Sequence, residues 1–302
     1  MTIINVRRNT DPVSQHGAAV ISDYDNDATL GIAFTSVAAG TDVAISKATG
    51  GSNAIVAGET ISIVDFSDGA NHIAAGTSAG IIKAKGGENS LASGQENGIA
   101  EFTGGTNHVS TGGDTSIAKL GGGSNGLATA GGLGILDATD GSNRFAVGGD
   151  AGIIKLRGGD NGIATGHDVG IIDLSGGTNQ AAFGADAGII KLSGGHNGFA
   201  AGDNAGIIEL ANGTNQIALG ADAGIIKATG GDNSFAAGAS VGIIELTAGT
   251  NQVAVGADGG IIRLRTHKLS FQANAAMIQS LVMEALNERR TFLAERRAVF
   301  AA

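Results

Sequence analysis

The 302-residue sequence contains no cysteine and no tryptophan, a single proline and a single tyrosine. The absence of cysteine excludes disulfide frameworks, thiolate metal sites and cysteine nucleophiles. With aromatics at only 4%, an ordinary globular core is short of material, and small Ala, Val and Ile side chains must pack in a thin, regular layer. Basic residues are scarce as well: 18 Lys and Arg stand against 28 Asp and Glu, a formal net charge of −10. That balance argues against nucleic acid as a partner, because displacing counterions from phosphates takes a basic footprint, and against anionic membrane surfaces for the same reason. No stretch of 18 apolar residues offers a transmembrane segment. Residues Met1–Gly17 carry Arg7, Arg8 and Pro12 without the apolar stretch of a conventional signal peptide.

What is abundant is glycine, 53 residues against an average usage of ~7%, and it is periodic. From Asn53, every step of 18 residues lands on another Asn, through Asn161, Asn179, Asn197 and Asn215 to Asn251, twelve Asn in all without insertion or deletion. Two residues before each stands a Gly, from Gly51 to Gly249, and ten residues after each an Ile, from Ile63 to Ile261. Such self-similarity at a fixed period marks a repeat architecture.

One unit, Ala187–Asn204, reads as strand, turn, strand, turn. Its two apolar runs are too short for stable helices and are bounded by Gly-Gly and Gly-x-Asp punctuation that supplies positive φ and Asx-type turns. With no crossover elements, each unit winds as one coil, and equivalent positions stack ~4.8 Å apart in parallel sheets. The fold class expected is therefore all-β, a parallel β-solenoid of about thirteen 18-residue coils over residues 34–266, a rod ~60 Å long. Residues 1–33 fit the period badly and are expected to form an N-terminal cap or tail. Residues 267–302 lose the glycine; helical periodicity over Ala275–Phe300, through Ile278, Leu281 and Phe292, predicts a C-terminal amphipathic helix. Docking over the last coil, oligomerisation and an export signal are the roles open to that helix.

Columns of equivalent residues predict which side chains face where. The position two after each Asn is always apolar and is assigned to the core, with volume balanced two residues on: Phe199 with Ala201, Ala181 with Phe183. The intervening Ala164, Ala182 and Ala200 then face outward. In the other strand one column alternates in sign without exception, from Lys47 through Lys155, Asp173, Lys191 and Glu209 to Arg263. Like charges stacked ~4.8 Å apart repel, so alternation penalises a slip of one coil and makes the superperiod 36 residues. The column begins and ends on a base, so stacking one rod end directly on another is unfavourable. The Ile two residues before each charge, among them Ile171, Ile189, Ile207 and Ile225, faces outward by strict alternation and forms an apolar stripe suited to self-association. A bend at the preceding Gly that turns it inward is the competing expectation.

Signs of chemistry are few. The six histidines lie in different columns except His72 and His108, which at two coils, ~9.6 Å, are too far apart to share a metal. No nucleophile triad, P-loop or HExxH is present, which predicts a protein that is not an enzyme and has no cofactor. Asp150, Asp168 and Asp186 stack in adjacent turns and are the candidates for calcium, competing with a plain Asp turn. The Asn column reads as a hydrogen-bonded structural ladder. Thr106, Thr178, Thr214 and Thr250 recur every second coil or so on one face and are the candidate contacts for ice or a polysaccharide partner.

Units such as Ala248–Val255, Ala-Gly-Thr-Asn-Gln-Val-Ala-Val, resemble the Gly-x-Gly-Asn-x-Ala turn and second strand of curli-type functional amyloid repeats. The resemblance covers the repeat region and implies an extracellular fibre subunit, although the present period of 18 is shorter than in curli-type units. The expectations carried forward are a structural solenoid that self-associates into a homo-oligomer, fibre, matrix or surface assembly. A ligand-binding solenoid and an intracellular or phage-type scaffold are the alternatives. An extracellular or cell-surface location, reached without an N-terminal signal peptide, is weighed against a cytoplasmic one.

Overall fold

The structure, a computed structural model, describes residues 2–4, 13–15, 19–21, 24–25, 34–49, 51–257, 259–265 and 268–272. One coil runs through Ala187–Ser193, turns, continues as His196–Ala201 and turns again before Ala205 opens the next. Ala187–Ser193 pairs in parallel with Val169–Ser175 on one side and Ala205–Ala211 on the other, each offset by 18 residues. Among the described residues, stacking of these longer strands gives a 16-stranded sheet, here sheet A, and of the shorter ones a 15-stranded sheet, here sheet B. From Val43–Thr49 to Gly259–Arg265, sheet A advances in twelve steps of 18, ~58 Å at ~4.8 Å per step. The expected parallel β-solenoid is the fold.

The periodicity is looser at the ends. Thr2–Ile4 pairs with Ala19–Ile21 at an offset of 17, and Val13–Gln15 pairs with Val37–Ala39 at an offset of 24, so strands of the first 33 residues extend both sheets out of step. Beyond residue 266, Lys268–Gln272 adds one more strand to sheet B, placing Leu269 beside Asn251 and Phe271 beside Val253. The helix expected over Ala275–Phe300, with Ile278, Leu281 and Phe292, lies outside the described residues.

The first turn explains why one glycine column is unbroken and its neighbour is not. Both turn residues hold positive φ, as in Gly194 (66°) and Gly195 (67°). A Cβ on Gly195 would collide with the carbonyl oxygen of Gly177 in the preceding coil, whereas one on Gly194 meets nothing within 4 Å. The first position therefore tolerates Asp140, Asn212 and Ala248 at φ of 57–61°, and the second is always Gly.

Inside, the column that closes this turn is the Asn ladder. Each Nδ2 donates to Oδ1 of the next Asn at 2.7–2.9 Å, without a break from Asn53 to Asn251. The same Nδ2 donates to the carbonyl three residues back, Gly194 for Asn197. The amides are buried, at most 6% exposed, yet satisfied, which removes the desolvation cost of a polar core column. Beside them Phe145, Phe199 and Phe235 fill the apolar column, and Phe183 meets Phe199 with ring centroids 5.0 Å apart at 47°, a tilted aromatic contact. The pairs expected to balance volume two residues apart, Phe199 with Ala201 and Ala181 with Phe183, are all buried.

In sheet A the alternation resets once per coil. Ala187, Ile190 and Leu192 are buried, so two inward residues lie three apart across Gly188–Ile189. The bend exists, and a Cβ on Gly188 would come 2.5 Å from the Gly170 carbonyl oxygen. It does not turn Ile189 inward; it keeps Ala187 inside.

Candidate functional site

Among the described residues, the rod offers faces in place of a cleft. The Ile column is one: Ile63, Ile135, Ile171 and Ile261 are 36–50% exposed and Ile189, Ile207 and Ile225 half-buried. The outward-stripe expectation therefore stands, and the inward turn does not occur. Ile171 stacks on Ile189, which stacks on Ile207, giving a continuous apolar ridge at the bend of sheet A.

Two residues on, the charge column lies on the same sheet in register, Lys155 beside Asp173 beside Lys191 beside Glu209. Ion pairs form within it at Lys83–Glu101 (3.4 Å), Lys191–Glu209 (3.6 Å) and Glu245–Arg263 (2.6 Å). Asp137 instead reaches Arg157, outside the column, at 3.8 Å. Exposed pairs of this kind are worth ~0.2–1 kcal/mol each; their collective effect is on register.

The Asp column sits in the second turn. Asp150 Oδ1 accepts from the backbone N–H of Asp168 at 3.2 Å, Asp168 from Asp186 at 3.0 Å, and Asp186 from Asn204 at 2.9 Å. Asn204, which interrupts the acidic run, keeps the same relay by accepting from the Asp222 N–H, and the Ser240 N–H donates to Asp222 Oδ1. The side chains of Asp150, Asp168, Asp186, Asn204 and Asp222 each cap the amide one coil on, so the calcium candidates hold turn-capping positions. Among the described residues, no group of three or more His, Asp or Glu side chains is placed to hold a metal.

The face that sequence reasoning read incompletely is the outer surface of sheet B. A shallow groove of about 1270 Å³ runs along it, floored by Ala128, Ala146, Ala164, Ala182, Ala200 and Ala218 and bordered by the column one residue after each Asn. The outward Ala column was anticipated. The bordering column was missed, although its alternation of residue size was visible in the sequence. Thr106 and Thr178 are exposed and Thr214 and Thr250 half-buried at the near edge of this face.

Compared with protein-family models, with curated proteins and with solved structures, the chain matches none.

Proposed function

We propose that this protein is a non-catalytic structural rod that self-associates into a fibre, matrix or surface assembly. The observation that carries the reading is the pair of long lateral faces, the Ile ridge of sheet A, with an Ile at every coil, and the largely Ala-floored groove of sheet B, whose bordering column repeats every second coil. Repetition of a flat face multiplies weak contacts along its length, which suits assembly, whereas a catalytic site needs one specialised constellation. The likeness of the repeats to curli-type units supports the same direction. Electron microscopy of the purified protein over a concentration series, with light scattering on the same samples, tests it. Ordered filaments, sheets or defined oligomers are expected; a monomeric rod at every concentration would overturn the reading.

A further inference from the structure

The strand glycines of sheet B lack the usual reasons for glycine. Gly162 and Gly198 have ordinary strand backbone, and a Cβ on either would meet nothing within 4 Å. At Gly126 the nearest atom is Nδ1 of the exposed His108 side chain, 3.1 Å away. Glycine inside a strand is destabilising relative to alanine, and one with no conformational task often marks a place that something approaches closely.

Their column supplies the second observation. At odd coils it holds Ala54, Ser90, Gly126, Gly162, Gly198 and Ser234. At even coils it holds His72, His108, Arg144, Gln180, Gln216 and Gln252. Small and long alternate over all twelve coils. Within one chain this is a poor arrangement: glutamines stacked on every coil would form an amide ladder like that of the core asparagines, and spacing them two coils apart forfeits it. The column and its neighbouring Ala column carry no carboxylate, on a chain of net charge −10.

We propose that the outer face of sheet B is the contact between two copies of this chain, paired face to face with their rods antiparallel, long side chains seated in the gaps at small ones. The inference rests on the self-association reading and specifies its surface. The alternation selects the symmetry. A twofold axis along the strands, midway between the coils of Asn143 and Asn161, sets Arg144 against Gly162 of the partner subunit and Gln180 against Gly126 of the partner subunit. Every other rung likewise pairs long with small. A twofold along the rod axis would set each coil against itself, long against long. Twelve rungs of six-residue strands present roughly 1,100 Å² per copy, against the ~800 Å² per partner of a standard specific interface. Self-complementarity over the full length favours a second copy over a glycan, which would be a different occupant of the same groove.

Two variants and their mixture test this by sedimentation equilibrium. Gly126→Gln, Gly162→Gln and Gly198→Gln together fill the gaps in open space beside the mobile end of His108, so strand circular dichroism is kept and melting stays at or above the wild-type level while lateral association falls about tenfold or more, as overpacking implies. His108→Gly, Arg144→Gly and Gln180→Gly, the residues set against Gly198, Gly162 and Gly126 by that twofold, together leave gaps only. Mixed with the filled variant, this second chain should restore a 1:1 complex. A filled variant that assembles like the wild type would overturn the inference and leave the self-association reading standing. A wild-type monomer, with or without a bound glycan, would overturn both.

Discussion

Asn197 is bonded to both neighbouring coils: its Nδ2 donates to Oδ1 of Asn215 at 2.8 Å, and its Oδ1 accepts from Nδ2 of Asn179 at 2.8 Å. It also holds the Gly194 carbonyl of its own turn. Asn197→Ala strands a buried donor above and two acceptors, a loss of about 2–4 kcal/mol measurable by denaturant unfolding. Asn197→Asp keeps the acceptor and sets an anion against the Asn215 oxygen. Burial and that contact raise the introduced carboxyl above its unfolded value, so its protonated form, which can donate, is favoured in the fold. The variant's deficit therefore shrinks as pH is lowered through the raised titration range. The same deficit in acid and in base would refute this account.

The coils were legible because their defining columns have no latitude. Gly195 faces the Gly177 carbonyl and Asn197 must bond both neighbours, so both types recur at every step. The inward placement of Ala187 was not legible, since a period of two, which puts Ile189 outside, cannot register a bend that leaves Ala187 and Ile190 both inside. The offsets of 17 and 24 near the N-terminus hid the strands there for the same reason. The outward size alternation was overlooked because glycine looks alike in sequence, whether it is required by a turn, by a close carbonyl or by neither. Coordinates separate the three kinds.

That separation predicts an order of effects. Gly195→Ala drives a Cβ into the preceding coil's backbone and should cost more than about 2 kcal/mol, as overpacking does. Gly194→Ala meets open space at φ 66° and should cost about 1 kcal/mol, the ordinary left-handed penalty. Gly162→Ala, in plain strand backbone, should be neutral or stabilising by about 0.5 kcal/mol. Midpoints of denaturant unfolding for the three variants settle the ranking, and an inverted order would mean the turns are not held as described.

Reversals along the charge column should be weak singly and telling in combination. Glu209→Lys removes the 3.6 Å pair with Lys191 and places a third cation in register between Lys191 and Lys227. Because these side chains are about half exposed, the expected loss is about 1 kcal/mol at low ionic strength, fading as salt screens it. Reversing Lys155, Asp173 and Lys191 one at a time should behave alike, and reversing the whole column should return stability close to the parent. If single and complete reversals unfold at the same denaturant concentration, the column does not set register.

One core position runs against the rest. Asn97 is 1% exposed and, among the described residues, neither its Nδ2 nor its Oδ1 has a hydrogen-bond partner; Ser93 Oγ is in the same condition. Its column holds Ala79 one coil earlier and Thr115 one coil later, and Leu133 the coil after that. Asn97 thus lies off the Asn ladder and gains none of its bonding. A buried amide without partners loses ~1–3 kcal/mol of desolvation, and replacing it with an apolar group of similar volume recovers part of that. Asn97→Leu, which puts in place the side chain already accommodated at position 133, should raise stability by about 1 kcal/mol in denaturant unfolding. A loss of similar size would instead mean that the amide is satisfied by buried water, the usual partner of an isolated polar group in a core.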